Sequence, residues 1–145
     1  MNIIPLEIYF QGRRYVRTQN TLNFKDYSDP RTLQLDELIE NVIHATDMMN
    51  DILNDNEELF DVDDHDDVEG YFRRMNKTEL QNKIRQIQTL LTQGDQMVAD
   101  LANFHNNMDA IQTQMADNFY YSFHEFEQRI PAFYRPMQRA FAKMP

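Results

Sequence analysis

Histidine and acidic side chains are the residues of this chain that could ligate a metal ion or transfer protons. The four histidines are His44, His65, His105 and His124. A di-iron helical bundle needs Glu-x-x-His motifs on inward helix faces, and the sequence contains none. His124-Glu125 begins like the zinc-protease motif, but Gln128 stands where that motif needs its second histidine. The spacing therefore predicts neither a di-iron site nor a zinc-protease site.

Nucleophilic catalysis has equally little support. The chain has no cysteine, and its two serines, Ser28 and Ser122, do not lie in a strand–turn–helix pattern. The three glycines, Gly12, Gly70 and Gly94, are too far apart to form a loop that binds phosphate. We therefore predict a protein that is not an enzyme and that carries no cofactor and no metal.

The densest cluster of potential metal ligands lies within residues 61–75. A calcium-binding EF-hand loop needs carboxylates at its first, third and fifth positions, glycine at the sixth and glutamate at the twelfth. A loop that starts at Asp61 has Asp66 at the sixth position, whereas one with Gly70 there starts at His65. Because neither register fits, we expect this segment to be a solvated acidic linker.

The net charge of −10 is distributed unevenly along the 145 residues. Residues 36–69 contain fourteen acids and no lysine or arginine, whereas both ends of the chain carry basic residues. An acidic centre repels phosphate backbones, so we expect no nucleic-acid partner. Basic ends around an acidic centre favour binding to other copies of the chain or to protein partners.

Hydropathy and composition also bear on the location of the protein. No apolar run approaches the roughly 18 residues that a membrane-spanning helix needs. Residues 1–10 lack the basic and apolar regions of a signal peptide, and disulfide-forming cysteines are absent. We expect no transmembrane segment and an intracellular location, in the cytoplasm or nucleus, or a place in a virion if the protein is viral.

Heptad spacing of apolar residues predicts a first amphipathic helix over residues 30–60. Asp29 is suited to cap this helix, and proline is favoured at a first helical position such as Pro30. The opposite face carries acids, among them Asp47 and Asp51. Steps of three and four residues place eight side chains on one seam: Leu35, Leu38, Val42, Ala45, Met49, Ile52, Asn56 and Leu59.

The same pattern predicts a long second helix over residues 76–129. Asn76 and Glu79 have the spacing of a capping box at its start. One continuous helix of this length would span roughly 75 Å. Gly94 costs about 1 kcal/mol relative to alanine inside a helix. The helix is therefore either continuous, or kinked or broken at Gly94, with Asp95 capping a third helix.

Three polar residues interrupt the two seams: Asn56, His105 and Gln112. A polar side chain at a seam position lowers stability and selects the register or the partner of a coiled coil. We predict that these three residues have that role.

Aromatic residues are concentrated in the C-terminal third, which ends in a proline-containing basic tail over residues 130–145. Aromatic and arginine side chains are enriched at binding hot spots. One interpretation is that this region is the main protein-binding surface, and the other is that its rings close the intramolecular bundle. The predicted interface comprises Leu101, Phe104, Met108, Ile111, Met115, Phe119, Phe123, Phe126, Phe133 and Tyr134.

Residues 1–29 differ from the rest of the chain and predict an N-terminal arm. Two β-prone runs, residues 6–10 and 13–18, flank Gln11-Gly12, and glycine there suits a tight hairpin turn. The arm is therefore either a β-hairpin or an extended segment without pairing of its own.

These features together predict a mainly α protein whose long, coiled-coil-like helices form a helical hairpin or bundle. The second helical segment exceeds the first by about 20 residues, so part of its apolar stripe has no partner within the chain. We therefore expect oligomerisation or a protein partner, and a structural or scaffolding subunit of a cellular complex or virion. The alternative is an adaptor that recruits a protein ligand through the acidic linker and the aromatic basic tail.

Overall fold

The computed structural model describes residues 28–145 in full and, before them, the backbone of three strands. The strands pair in an antiparallel sheet of order β1-β2-β3, with Glu7 of the first opposite Val16 of the second. The predicted turn at Gln11-Gly12 lies outside the described residues. The strand bounds are β1 (Glu7–Phe10), β2 (Arg13–Arg17) and β3 (Phe24–Asp26).

The first helix, α1 (Pro30–Asp55), begins where the sequence predicts. The Asp29 carboxylate accepts a hydrogen bond from the Arg31 backbone N–H at 3.0 Å, which satisfies one of the free donors at the helix start. A short 3-10 turn, Glu57–Leu59, follows the helix. The buried face agrees closely with the predicted seam and consists of Leu35, Ile39, Val42, Ala45, Met49 and Ile52.

The predicted acidic linker is not a loop throughout, because it contains the helix α2 (His65–Arg73). The Asp64 carboxylate caps this helix by accepting a hydrogen bond from the Asp66 backbone N–H at 2.9 Å. Acids in the first turn and a basic residue in the last turn complement the helix macrodipole. Charges that would repel one another in an extended loop therefore stabilise a helix here. The buried residues of α2 are Val68, Glu69 and Phe72.

Two helices replace the single one expected over residues 76–129, namely α3 (Lys77–Asn103) and α4 (Ala110–Arg129). The break does not fall at Gly94, which lies inside α3. It falls just before Asp109, whose carboxylate accepts a hydrogen bond from the Gln112 backbone N–H at 2.7 Å. The Gln112 side chain in turn accepts one from the Asp109 backbone N–H at 3.1 Å, which completes a capping box. The heptad spacing continues across this turn and so could not reveal it.

The C-terminal tail is also helical, and α5 (Pro131–Ala142) is separated from α4 only by Ile130. Pro131 lies in the first turn, where its missing N–H costs no hydrogen bond. Pro136 lies inside the helix and is buried, so α5 gives up the bond that would otherwise reach the Ala132 carbonyl. Most of the segment predicted as a proline-containing tail over residues 130–145 is therefore a helix of the bundle.

The five helices pack as a bundle of two helix pairs, α1 with α4 and α2 with α5, and α3 contacts both pairs. The most extensive contacts join α1 to α4 and α2 to α5, while α3 contacts α1, α4 and α5. The start of α1 lies at the end of α3, because Arg31 Nε donates to Asn107 Oδ1 at 3.2 Å, so these two helices are antiparallel. Gln112 Nε2 donates to Asp36 Oδ1 at 3.0 Å, and α4 therefore runs parallel to α1.

Since α4 folds back onto α1, the apolar stripe of the second segment is covered inside the chain. The buried core is continuous across all five helices. The sequence-based argument for oligomerisation assumed that part of this stripe has no partner within the chain. In the described bundle, most of the stripe is packed against other helices of the same chain. The largest fully buried side chains are Phe72, Phe119, Phe126 and Phe133.

Candidate protein-binding surface

The residues predicted as a protein interface belong to the core of the bundle. The alternative interpretation, in which the aromatic rings close the bundle, accounts for their positions. Six of the ten are buried, and no partner can reach them in this fold: Leu101, Phe104, Phe119, Phe123, Phe126 and Phe133. Four are partly buried: Met108, Ile111, Met115 and Tyr134.

The three polar seam residues have different environments. The buried side chain of Asn56 donates to the Ile52 carbonyl at 2.8 Å, at the end of α1. Gln112 both caps α4 and donates to Asp36, so it helps to set the register of α4 against α1 within the chain. His105 is exposed in the 3-10 turn after α3 and so does not lie on a helical seam, and its role in partner selection stays a prediction.

Acidic side chains line the solvent side of α1. They recur at helical spacing, and all five are exposed. None of them forms an ion pair or a side-chain hydrogen bond with another residue of the part that the structure describes. We call this set the acidic stripe: Glu37, Glu40, Asp47, Asp51 and Asp55.

The acidic stripe lowers the stability of α1, the helix that carries it. Asp47, Asp51 and Asp55 follow one another at four-residue intervals, where like charges destabilise a helix by about 0.2–0.5 kcal/mol per pair. Asp51 and Asp55 also lie at the C-terminal end of α1, where the macrodipole favours cations, and the last turn has no basic residue. A cationic partner would relieve this repulsion.

A groove of about 360 Å³ lies between α1 and α3, and we call it the α1–α3 groove. Its rim adjoins the acidic stripe, because His44 is about one helical turn from both Glu40 and Asp47. Its apolar lining residues are Leu38, Ala45, Met48, Leu90 and Met97. Its polar lining residues are Asn41, His44, Gln93, Gln96 and Asp100.

Neither α1 nor α3 carries a lysine or arginine in the part that lines the groove. After Arg31, α1 contains no lysine or arginine, and α3 contains none after Arg85. Residues 86–128, which include the second half of α3 and all of α4, hold six acids and no lysine or arginine. Among residues 28–145, the formal charges beside the groove are therefore negative.

Basic residues are concentrated in another part of the bundle. Residues 70–85 contain five lysines or arginines, residues 129–145 contain four, and Glu79 is the one acid in these two segments. They form the end of α2, the first part of α3 and the whole of α5. The pair of α1 and α4 is therefore acidic, whereas most basic residues lie on or beside the pair of α2 and α5.

The end of α5 is tied to α2 by a partly buried ion pair. Lys143 Nζ donates to Glu69 Oε2 at 2.9 Å, and Glu69 is only 7 % exposed. The second oxygen, Glu69 Oε1, is buried and accepts no hydrogen bond in the part of the chain that the structure describes. Removal of Lys143 would leave the carboxylate buried without its cation, so this pair holds two helices together and has a structural role.

Burial, and then the nearby Asp117 carboxylate, raise the pKa of the Tyr120 phenol above its ordinary value. Tyr120 lies beside the Phe119 ring, with 6.0 Å between the ring centroids. An ordinary tyrosine phenol is already protonated at neutral pH, and the raised pKa of Tyr120 favours that protonated form further.

Within residues 28–145, no group of three or more histidine and acidic side chains is placed to hold a metal ion. In the same part of the chain, each helix is too short or too polar to cross a membrane. No known protein family, curated protein or solved structure matches this chain. A functional hypothesis must therefore rest on surface geometry and charge.

Proposed function

We propose that this protein is a non-enzymatic binding module, an adaptor that recruits a basic protein ligand within a multi-protein assembly. The observation that carries the proposal is the acidic stripe, which is exposed and lowers the stability of its own helix. The apolar faces of the helices are mostly covered inside the bundle. A charged surface is therefore better supported as the binding element than a helical seam shared with another subunit.

Charge of one sign on one helix suits recognition of a cationic ligand. It attracts the ligand over distances of about a Debye length, near 8 Å at physiological ionic strength, and it raises the association rate. The ligand is expected to bind α1 and not the aromatic tail of the sequence-based hypothesis, because the tail is helix α5 and packs on α2. Binding should weaken as salt is added.

Neutralisation of the stripe tests this proposal. The triple variant Glu40→Gln, Asp47→Asn, Asp51→Asn removes three charges with little change in side-chain size. Its affinity for a synthetic lysine-rich peptide, measured by fluorescence anisotropy at about 150 mM salt, should fall about tenfold or more. The same variant should be more stable to urea by about 1 kcal/mol, because like-charge pairs are removed. A gain in stability beside a loss of binding would rule out unfolding as the cause.

A matched control removes the same number of charges from α3 and α4, through Asp95→Asn, Asp117→Asn and Glu127→Gln. These three side chains are exposed and lie outside the stripe. The control should bind the peptide within about twofold of the wild type, since only long-range attraction changes. Equal weakening in both triple variants would show that net charge alone matters and would overturn the stripe as the binding surface. No binding by the wild type even at about 50 mM salt would overturn the proposed function itself.

A second candidate function is a structural or scaffolding subunit of a cellular complex or virion. The charge difference between the two helix pairs favours it, because the acidic part of one copy is complementary to the basic part of another. Such a contact is head-to-tail and leads to rings or open filaments. Self-association of the purified chain at physiological salt would favour this candidate over the adaptor.

A further inference from the structure

We infer that the α1–α3 groove is a docking site for a cationic amphipathic helix of the partner protein. The inference rests on the proposed function and names the place and the chemical class of its ligand. Its three supports are the partly exposed apolar lining of the groove, the antiparallel arrangement of its walls, and the absence of lysine and arginine from the lining residues.

The groove presents apolar surface that the bundle leaves partly uncovered. Leu38, Met48 and Met97 pack against the core but are only partly buried. Methionine is unbranched and has a polarizable sulfur, so it adapts to apolar side chains of varied shape. Leucine or aromatic residues on one face of a ligand helix would cover these three side chains.

The shape of the groove favours a helix as the occupant. Its walls are two antiparallel helices, and a third helix packs into the space between such a pair as in a helical bundle. Along α1 the lining residues extend from Leu38 to Met48, which corresponds to about 15 Å or three helical turns. A ligand helix of about ten or more residues would therefore fill it.

The charges around the groove require the polar face of that helix to be basic. Asp100 lies on the α3 rim, and Asp51 is one turn from Met48 on α1. Lysine or arginine on the flanks of the ligand helix would face these carboxylates and the rest of the acidic stripe. An acidic helix would meet repulsion from both walls.

Two synthetic peptides of about 16 residues test the inference. Both have the same leucine and lysine content, but only one places its leucines at helical spacing, and the other is a scrambled control with equal charge. At about 150 mM salt the amphipathic peptide should bind at least about tenfold more tightly than the scrambled one. Equal affinity for the two peptides would overturn the groove as the docking site while leaving the proposed binding of basic ligands intact.

A pair of adjacent substitutions separates the groove from the overall charge. Met97→Arg places a cation and a longer side chain in the groove. This variant should bind the amphipathic peptide at least about tenfold more weakly than the wild type. Val98→Arg makes the same change in net charge at an exposed neighbour that does not line the groove. Its affinity for the amphipathic peptide should stay within about twofold of the wild-type affinity. Similar losses in the two variants would overturn the inference. If neither peptide binds the wild type even at about 50 mM salt, the proposed function fails together with it.

Cross-linking keeps the inference testable if the arginine variant does not fold. The chain has no cysteine, so Met48→Cys supplies a single attachment point in the groove for a thiol-to-amine cross-linker. We expect a covalent adduct with a peptide lysine, and at least about tenfold less adduct from Ile43→Cys, which is exposed on α1 outside the groove. A cross-link to Lys25 of the same chain, or a dimer of two chains, would show another occupant and would overturn the inference.

Discussion

Gly94 lies where α3 meets α4, and its lack of a side chain lets the two helices approach. A Cβ atom at this position would overlap the ring of Phe123. That ring is buried and stacks on Phe119, with 5.6 Å between centroids and 11° between planes. Because the ring is buried and stacked on another ring, it has little freedom to move away.

Gly94→Ala should therefore destabilise the protein, although alanine is the better helix former. Overpacking of a core costs about 1–3 kcal/mol, and for an overlap this close we expect about 2–3 kcal/mol, which exceeds the gain of about 1 kcal/mol in helix propensity. We expect a net loss of about 1–2 kcal/mol in the free energy of unfolding, measured by urea denaturation. The double variant Gly94→Ala, Phe123→Leu should recover part of this loss.

The matched control is Gly70→Ala in α2, where no atom other than those of the adjoining residues and the helix's own backbone lies within 4 Å of the added Cβ. Here helix propensity acts alone, so the free energy of unfolding should rise by about 0.5–1 kcal/mol. If the two alanine variants changed stability in the same direction, the contact with Phe123 would not be what requires glycine at position 94.

The sequence identifies Gly94 as a weak point of a long helix but misplaces the consequence. Helix propensity is a local property, and it correctly marks glycine as unfavourable there. The reason for the glycine is a ring on another helix, which no pattern within α3 can reveal. The physical effect is close packing and not a break.

Among the helices, the turn between α3 and α4 decides the architecture, since it lets α4 fold back onto α1. Its signal is the Asp109–Gln112 capping box. Asp109→Ala removes the cap and should lower the free energy of unfolding by about 1 kcal/mol in urea denaturation. Asp95→Ala is the control, because Asp95 is an exposed interior residue of α3, and it should be neutral or slightly stabilising. Equal stability of the two variants would mean that packing alone places the turn.

Helix starts were predictable where a cap precedes an apolar run. Asp29 caps α1 and Asn76 caps α3 as the sequence indicates, with Asn76 Oδ1 accepting from the Thr78 backbone N–H at 2.9 Å. The sequence pattern does not predict the caps of α2 and α4, because acidic residues dominate the start of α2 and the heptad spacing continues unbroken across the start of α4. In both cases the missed residue is an aspartate with the usual capping geometry, Asp64 and Asp109.

For the whole molecule, the internal closure of the apolar stripe predicts a monomer. Sedimentation equilibrium at about 150 mM salt should give the chain mass of 17.4 kDa across a wide range of concentrations. Charge complementarity between copies is screened at this salt, so association should be confined to lower ionic strength. A stable dimer or larger oligomer at about 150 mM salt would contradict this expectation and favour the scaffolding candidate.

The sequence alone was sufficient for the α-helical class, the start and buried face of α1, and the separation of acidic from basic segments. These properties depend on residues a few positions apart, through helical spacing, caps and local charge. Tertiary structure decided which apolar residues are core and which are surface, and it moved Phe119, Phe126 and Phe133 from a predicted interface into the core. It also created the α1–α3 groove, whose walls are far apart in the chain. Burial depends on contacts between such distant segments, and periodicity within one helix shows that a face is covered without showing what covers it.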